Sequence, residues 1–410
     1  MNKPTGTIVV GAGPAGLICA GTLAASGKRV TILERMDRPA LKLGITGKGR
    51  CNLTNDCDHQ DFLAAVRTGG RFLHSAISAF SPQDTMRFFE GLGVPLKIER
   101  GGRVFPVSDK AGDVVRALTR YAKENGASIL RERASGLLIE DGAIAGVRCH
   151  SGREYPALSV VVATGGRSYP RTGSTGDGYA LAEQAGHEVI PPRPSLVPIV
   201  TREGWPVQAM GLSLKNVTLT LCREGRAIFK EQGEMLFTHF GVSGPLVLSA
   251  SAHMSGQVDA YTLSIDLKPA LTAEQLSGRI LRDFTERSNQ NFANALGGLL
   301  PKKLVGPIVS LSDISPTAKV HQITREERAR LAALLKNLTL RVKELRPIEE
   351  AIITSGGVST KQIHPGTMQS KLAEGLYFAG EVLDLDAYTG GFNLQIAFST
   401  GYLAGRTISN

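Results

Sequence analysis

Apolar positions between residues 7 and 35 change style three times. T-I-V-V (7–10) is a short β-branched run, Pro14 to Ser26 is small and apolar, and R-V-T-I-L-E (29–34) is β-branched again. The pattern predicts strand, glycine turn, helix and strand, which is one βαβ unit. Val114, Val115, Leu118 and Tyr121 fall at helical spacing within 113–126, and Ser128 to Leu130 follows as a strand. Leu137 to Val147 predicts a hairpin turning at Asp141-Gly142. S-V-V-V-A-T-G-G (159–166) predicts a buried strand ending in paired glycines, the place where α/β sheets hold ligands.

Pro191, Pro192, Pro194 and Pro198 then mark a connection, with a boundary near residue 191. Short β-like runs such as V-T-L-T-L (217–221) and Y-T-L-S-I-D-L (261–267) fill Val197 to Leu267. Residues 272–345 are charged, leucine-rich and helical in spacing. After Ser355 the glycine-rich style returns in G-L-Y-F-A-G-E, followed by a helix from Gly391 to Arg406. One discontinuous α/β domain, 1–190 with 355–410, is therefore expected, interrupted by a β part and a helical part.

Composition narrows the class without naming the chemistry. A chain of 410 residues with 42% hydrophobic residues, 20% charged residues and 47 glycines has a globular balance, which excludes disorder and collagen. No run approaches the ~20 apolar residues of a membrane span, and Thr7 to Val10 is too short for a signal-peptide core, so a cytoplasmic location is expected. The five cysteines are scattered and contain no C-x-x-C pair, which disfavours a disulfide framework, a zinc site and a thioredoxin-like redox pair. The net charge of +10 divides as 24 basic against 18 acidic residues over 1–190, 20 against 15 over 191–354, and 3 against 4 over 355–410. Charge so spread suits an anionic cofactor, an acidic substrate or RNA.

G-A-G-P-A-G (11–16) has the G-x-G-x-x-G spacing between a predicted strand and helix, and Glu34 ends the next strand. Gly11 would permit the tight turn, Gly13 would leave room for a pyrophosphate and Gly16 would let helix approach strand, while Glu34 would bind an adenosine ribose. The alternative is a glycine turn in an ordinary α/β domain. A second set, G-L-Y-F-A-G-E-V-L-D (375–384) with T-G-G-F-N-L-Q (389–395), is what an extended flavin would require. Glu381 or Asp384 could take ribityl hydroxyls, and the helix start at Gly391 to Leu394 could stabilise charge on the flavin N1/O2 edge. A strand and helix that merely complete the sheet remain the alternative there.

Together with K-L-G-I-T-G-K-G-R-C-N-L-T-N (42–55), A-T-G-G-R-S-Y-P-R-T-G-S-T-G-D-G-Y (163–179) and G-E-M-L-F-T-H-F-G-V-S-G-P (233–245), these motifs resemble the HI0933-like flavoprotein family. That group of NAD(P)/FAD-dependent oxidoreductases includes aminoacetone oxidases and a bile-acid enone reductase. The resemblance covers nearly the whole chain. It implies an α/β fold in which a discontinuous glutathione-reductase-type Rossmann domain (1–190 and 355–410) carries a β-barrel-like insertion (191–271 and 315–354) and a helical subdomain (272–314, able to reach 345). It implies non-covalent FAD, with NAD(P)H as a transient donor, because no second G-x-G-x-x-G follows.

The expected cofactor contacts are Gly11, Gly13, Pro14, Ala15, Gly16, Glu34 and Arg35; then Lys42, Gly47, Gly49, Arg50 and Cys51 in the glycine-rich loop; then Ala134, Thr164, Gly165 and Asp177; and finally Gly380, Glu381, Asp384, Gly391, Asn393 and Leu394. Asp177 is similar to the aspartate in the T-G-D-G of succinate-dehydrogenase-type flavoproteins, with a helix N-cap as its other reading. Arg50 and Asn52 are candidate catalytic groups beside the flavin, although Arg50 could equally form a salt bridge. Cys51 could be a redox partner or a small buried residue. His239 is the candidate proton donor, or a core histidine, and Tyr169 and Tyr388 are further acids.

The two-part FAD signature with a single dinucleotide fold points to NAD(P)H-driven reduction of a C=C bond with hydride leaving flavin N5, and the resemblance also implies, as alternatives, oxidation of an amine by oxygen and reduction of RNA uridine to dihydrouridine. A flavin-binding regulator is the non-enzymatic reading. A small-molecule substrate is expected first, RNA second and no membrane partner, and the oligomeric state stays open.

Overall fold

Strand β1 (Thr7–Val10) is buried along its whole length, as a central strand covered on both faces must be. With β2 (Val30–Glu34), β3 (Ser128–Arg131), β4 (Ser159–Val162) and β5 (Leu376–Phe378) it forms a parallel sheet in the order β5-β4-β1-β2-β3. The computed structural model describes residues 6–408. Helix α1 (Pro14–Ala25) crosses from β1 to β2, and the long helix α2 (Phe392–Thr407) packs against α1. The two approach through glycines: a Cβ at Gly401 would fall 2.3 Å from the Ala15 carbonyl oxygen, and one at Gly405 2.7 Å from that of Cys19. A three-stranded antiparallel sheet (Ala134–Glu140, Ala143–Cys149, Glu154–Pro156) adds to the unit. Its hairpin turns at Asp141 and Gly142, both at positive φ, as a two-residue turn of this kind requires.

The chain divides into two compact units, Met1–Ser195 with Ile348–Asn410, and Leu196–Pro347. The proline-rich segment expected to be a connection is instead a strand: Val189–Ser195 pairs antiparallel with Ile353–Val358. Its register shifts between Ile190 and Arg193, so the irregularity takes up Pro191 and Pro192. The break consequently falls after Ser195 rather than near 191, and the chain re-enters the first unit at Ile348 rather than after 354.

The second unit is built on a closed six-stranded barrel ordered Ile199–Thr201, Gly241–Ser243, Arg226–Phe237, Ser213–Arg223, Tyr261–Asp266 and Leu338–Leu345. Helices Ala273–Glu286, Phe292–Ala295, Lys302–Ser312 and Arg325–Lys336 lie between the last two strands in sequence. Thr272/Gln275 and Thr324/Glu327 open two of them with reciprocal capping boxes. The helical stretch thus extends past 314 into the region assigned to the barrel, yet stops at Lys336. Leu338, Leu340 and Val342 point inward at period two and make the closing strand, which pairs with both Tyr261–Asp266 and Ile199–Thr201. Each unit has its own apolar core. Among the described residues no helix is long and apolar enough to cross a membrane.

Candidate cofactor site

The loop from β1 into α1 has three glycines with three different surroundings. Gly11 sits at φ +102°, and a Cβ there would fall 2.7 Å from the Ala163 carbonyl oxygen. A Cβ at Gly16 would fall 2.0 Å from the Gly11 carbonyl oxygen, so this glycine lets helix meet strand. Gly13 is extended, and the nearest atom to a Cβ there is 3.9 Å away, which leaves space above the loop. Pro14 and Ala15 open α1 on a Gly13 N-cap that lacks a side-chain cap, so first-turn N–H groups are available to an anion. Glu34 is buried and pins this loop to β2, accepting from Ala12 N at 2.7 Å and Met36 N at 2.8 Å. Its carboxylate keeps lone pairs for a ribose.

Arg35 and Arg133 converge on Asp177. Arg133 reaches it at 2.8 and 3.0 Å, Arg35 at 3.2 Å, and Thr175 donates at 2.8 Å. Burial would raise the Asp177 carboxyl, but the Arg133 and Thr175 hydrogen bonds and the two arginine charges outweigh it and hold the group below its ordinary range. The helix Asp177–Gln184 has Gly176 as its N-cap, so Asp177 is not the cap; its carboxylate is engaged by protein arginines. Ala134 starts the hairpin strand, paired with Cys149.

The glycine-rich loop concentrates unusual backbone. Ala40, Lys48 and Cys51 are three of the ten non-glycine residues at positive φ among the described residues, and Gly47 and Gly49 share that region. Such clustering marks a loop shaped for a purpose other than its own stability. Lys42 donates to Glu381 at 2.7 Å and to Ser168 at 2.6 Å. Glu381 accepts in turn from Thr354 N at 2.9 Å, and Thr354 Oγ1 accepts from Arg167 N and Ser168 N. Lys42 and Glu381 therefore tie the loop after β4 to the C-terminal segment. Neither Ser168 nor Thr354 stood out in the sequence, because their role rests on partners some 190 residues apart.

Arg50 is engaged by protein side chains. Its guanidinium pairs with Glu99 and with Asp109 (2.8 Å from Nε) and lies 4.1 Å over the Phe105 ring. The salt-bridge reading holds for this residue. Cys51 has no exposed surface, and burial pushes its thiol up to about 12 against a weaker opposing bond from Thr46. It lacks the thiolate that redox exchange needs. Asn52 and Thr164 differ from both: Asn52 Oδ1 and Thr164 Oγ1 are buried with no partner among the described residues. Gly165, beside Thr164, sits at φ +76°.

At the far end, a Cβ on Gly380 would fall 2.9 Å from the Ala15 Cβ, so the C-terminal segment rests on the first turn of α1. Burial and the neighbouring Asp386 push the Asp384 carboxyl up, against the Gly356 N–H and Arg193. Gly391, at φ +100°, is the N-cap of α2 and supplies no side-chain bond, which leaves that helix start open as well. The Asn393 side chain is not free for a ligand: it bonds the backbone of Ala387 on both sides, at 3.0 and 2.8 Å, and Tyr388 O at 3.2 Å. Leu394 packs against the apolar core. Tyr169 lies at φ +53° in the loop after β4, and Tyr388 has Arg67 5.6 Å over its ring. His239 belongs to the barrel unit, where it is exposed on the turn between Arg226–Phe237 and Gly241–Ser243 with its ring edge-on to Phe240.

Two uncapped helix starts, a glycine turn with open space above it, a buried carboxylate at the end of β2 and two unpartnered buried oxygens fit an extended dinucleotide. Gly11–Gly16 and Glu34 would hold its ADP half, and the 42–55 loop, Thr164 and the 380–391 segment its flavin half. Among the described residues no group of three or more potential ligands could hold a metal.

Fold and site together define an FAD-dependent oxidoreductase with a Rossmann-type cofactor domain. The HI0933-like protein Rossmann domain family matches residues 5–407, and the chain belongs to that family. It is 31% identical over 412 residues to the 3-dehydro-bile acid delta(4,6)-reductase of Clostridium scindens, covering 97% of each chain. It is 32% identical over 415 residues to the ribosomal RNA dihydrouridine synthase of Haemophilus influenzae, covering 100% of each. The corresponding enzyme of Escherichia coli is 29% identical over 96% of each chain. A solved 3-ketosteroid-delta4-(5alpha)-dehydrogenase from Rhodococcus jostii matches with a TM-score of 0.55 at 15% identity, covering 99% of this chain and 97% of that one. An identity so low carries the fold alone.

Proposed function

We propose that the protein reduces a C=C bond conjugated to a carbonyl, drawing electrons from NAD(P)H through FAD. One observation carries this reading: two relatives matched over essentially their full lengths differ in substrate yet, by their names, saturate the same kind of bond. One acts on a 3-dehydro (keto) bile acid, the other on a uracil ring. When bound, FAD would accept two electrons from the nicotinamide and pass them to the substrate. The chain's own share is to hold the pyrophosphate on the Gly11–Gly16 loop, the ribose on Glu34 and the flavin between the 42–55 loop and the start of α2. A proton must also reach the substrate. Tyr169, in the loop after β4, is one candidate donor; burial and Glu350 push its hydroxyl above the ordinary range, which makes it a weaker acid than a free tyrosine. His239 and Tyr388 are the other candidates.

Uridine in RNA is the favoured bearer of the bond, supported by the net charge of +10 and by full-length relatives from two organisms that act on ribosomal RNA. The test is an anaerobic visible spectrum of the FAD-loaded protein with NADH or NADPH, followed by addition of unmodified ribosomal RNA fragments or a 3-keto-4-ene steroid. Loss of the flavin band on nicotinamide and its return on substrate, with two hydrogens gained by that substrate, is the expected result. A flavin that neither nicotinamide bleaches, in a protein that instead releases peroxide from an amine, would overturn it.

A further inference from the structure

Two motif segments lie more than 330 residues apart in the chain and meet through side chains that a cofactor does not require. Thr54 Oγ1 donates to Gln395 Oε1 at 2.7 Å. Gln395 Nε2 donates to the Phe80 carbonyl at 3.0 Å and to Ser399 Oγ at 2.9 Å, and Ser399 donates to the same carbonyl at 2.6 Å. Asn55 Nδ2 donates to the carbonyls of Gly390 at 3.1 Å and Gly101 at 2.9 Å. Thr54, Gln395 and Ser399 have no exposed surface, and Asn55 is 6% exposed. Between the two sets of bonds sits Gly391, where a Cβ would fall 2.3 Å from the Thr54 carbonyl oxygen. Segment 54–55 is thus bonded to α2 and its N-cap loop on both sides of Gly391 and touches the backbone between them.

Every donor on Gln395 and Asn55 is taken by protein, so these side chains have no hydrogen left for a ligand. A buried polar network with its donors paired gains little stability over apolar packing but fixes one geometry. What it fixes is the open first turn of α2, whose unpaired N–H groups favour negative charge within that turn and hardly beyond it.

We infer that Thr54, Asn55 and Gln395 are positioning residues that hold this turn against the flavin, favour the negative charge acquired on reduction, and so raise the reduction potential. The inference rests on the reading of α2 as the partner of the flavin.

The experiment measures the two-electron reduction potential of the FAD-loaded protein by anaerobic dye equilibration, in the parent and in Thr54→Val, Thr54→Ser and Gly391→Ala. Valine keeps the shape of threonine and removes the hydroxyl. A tenfold loss of preference for reduced over oxidised FAD is expected, a fall of about 30 mV. Serine restores the hydroxyl and the parent potential, and Gly391→Ala lowers the potential by forcing the segments apart. A folded, FAD-loaded Thr54→Val at the parent potential, with Gly391→Ala shifted, overturns the clamp while leaving the flavin reading intact. Parent potentials in both variants overturn the assignment of α2 to the flavin. Should Thr54→Val not retain FAD, Asn55→Ser, too short to reach the Gly390 carbonyl, carries the same expectation and the same refutation.

Discussion

Gly13 and Gly16 belong to one six-residue motif, yet a methyl group added to each meets different surroundings. At Gly13 it enters open space, so Gly13→Val should leave a folded protein that binds FAD at least about a hundredfold more weakly, through steric exclusion of the pyrophosphate. At Gly16 it meets the Gly11 backbone, so Gly16→Ala should destabilise the fold by about 1–3 kcal/mol before any question of FAD arises. Urea unfolding and bound-flavin absorbance of both variants check the pair; full FAD retention in Gly13→Val would mean that the pyrophosphate lies elsewhere. These roles were legible in the sequence because they depend on spacing within one βαβ unit. The partners of Arg50 and Asp177 were not. Glu99, Asp109 and Arg133 lie 44 to 59 residues away, and a cation in a glycine-rich loop reads alike whether it meets a phosphate or a carboxylate.

His187 carries a pH dependence of the same local kind. Its Nε2 lies 2.8 Å from Ser370 Oγ, its ring stands edge-on to Phe378, and its Nδ1 has no partner among the described residues. Burial pushes its imidazole below the ordinary 6.5, against a smaller opposing effect of Gln362. The unfolded chain then binds a proton that the folded chain resists, so this stability is present above pH 6.5 and lost as the pH falls from there toward the folded value. Urea midpoints should drop more steeply between about pH 7.5 and about pH 5 for the parent than for His187→Gln. Equal slopes would show that the ring titrates normally when folded.

At the scale of elements, the contact of α1 with α2 joins the two ends of the cofactor site. Both uncapped helix starts belong to this pair, and Gly401 and Gly405 set the distance between the axes. Gly401→Ala adds a Cβ 2.3 Å from the Ala15 carbonyl oxygen and 2.7 Å from an Ile18 methyl, so the helices must separate. The expected cost is about 1–3 kcal/mol with weaker FAD binding, whereas an alanine at the open position Gly44, in the helix Leu41–Gly49, should not force the backbone apart. Thermal melts with and without added FAD check both, and an unchanged melt in Gly401→Ala would refute the close approach. Helix α2 itself was readable from its period. Its glycines were not, since close approach depends on a partner more than 370 residues earlier. The closing barrel strand was obscured for a related reason: Leu338, Leu340 and Val342 follow directly on the leucines of a helix, and a change of period over so few residues is hard to see.

Charge belongs to the whole molecule, and so does the choice between the two kinds of substrate. Unit Leu196–Pro347 contains 19 basic and 13 acidic residues and the remainder 28 and 24, so both units contribute to the net +10. An RNA substrate would use that field by displacing counterions, and its affinity would then fall as a power of the salt concentration set by the number of phosphates neutralised. For about four phosphates of single-stranded RNA, a fourfold rise in salt from about 50 to 200 mM weakens binding roughly 50-fold. A neutral 3-keto-4-ene steroid displaces no counterions and should change by less than about twofold. Measuring kcat/KM for an unmodified ribosomal RNA fragment and for the steroid across that range separates the cases, with NAD(P)H oxidation as a common readout. The expected outcome is a steep fall for RNA and a flat response for the steroid. A flat response for both, with the steroid turned over faster, would assign the positive charge to solubility or to the cofactor phosphates and leave a small enone as the substrate.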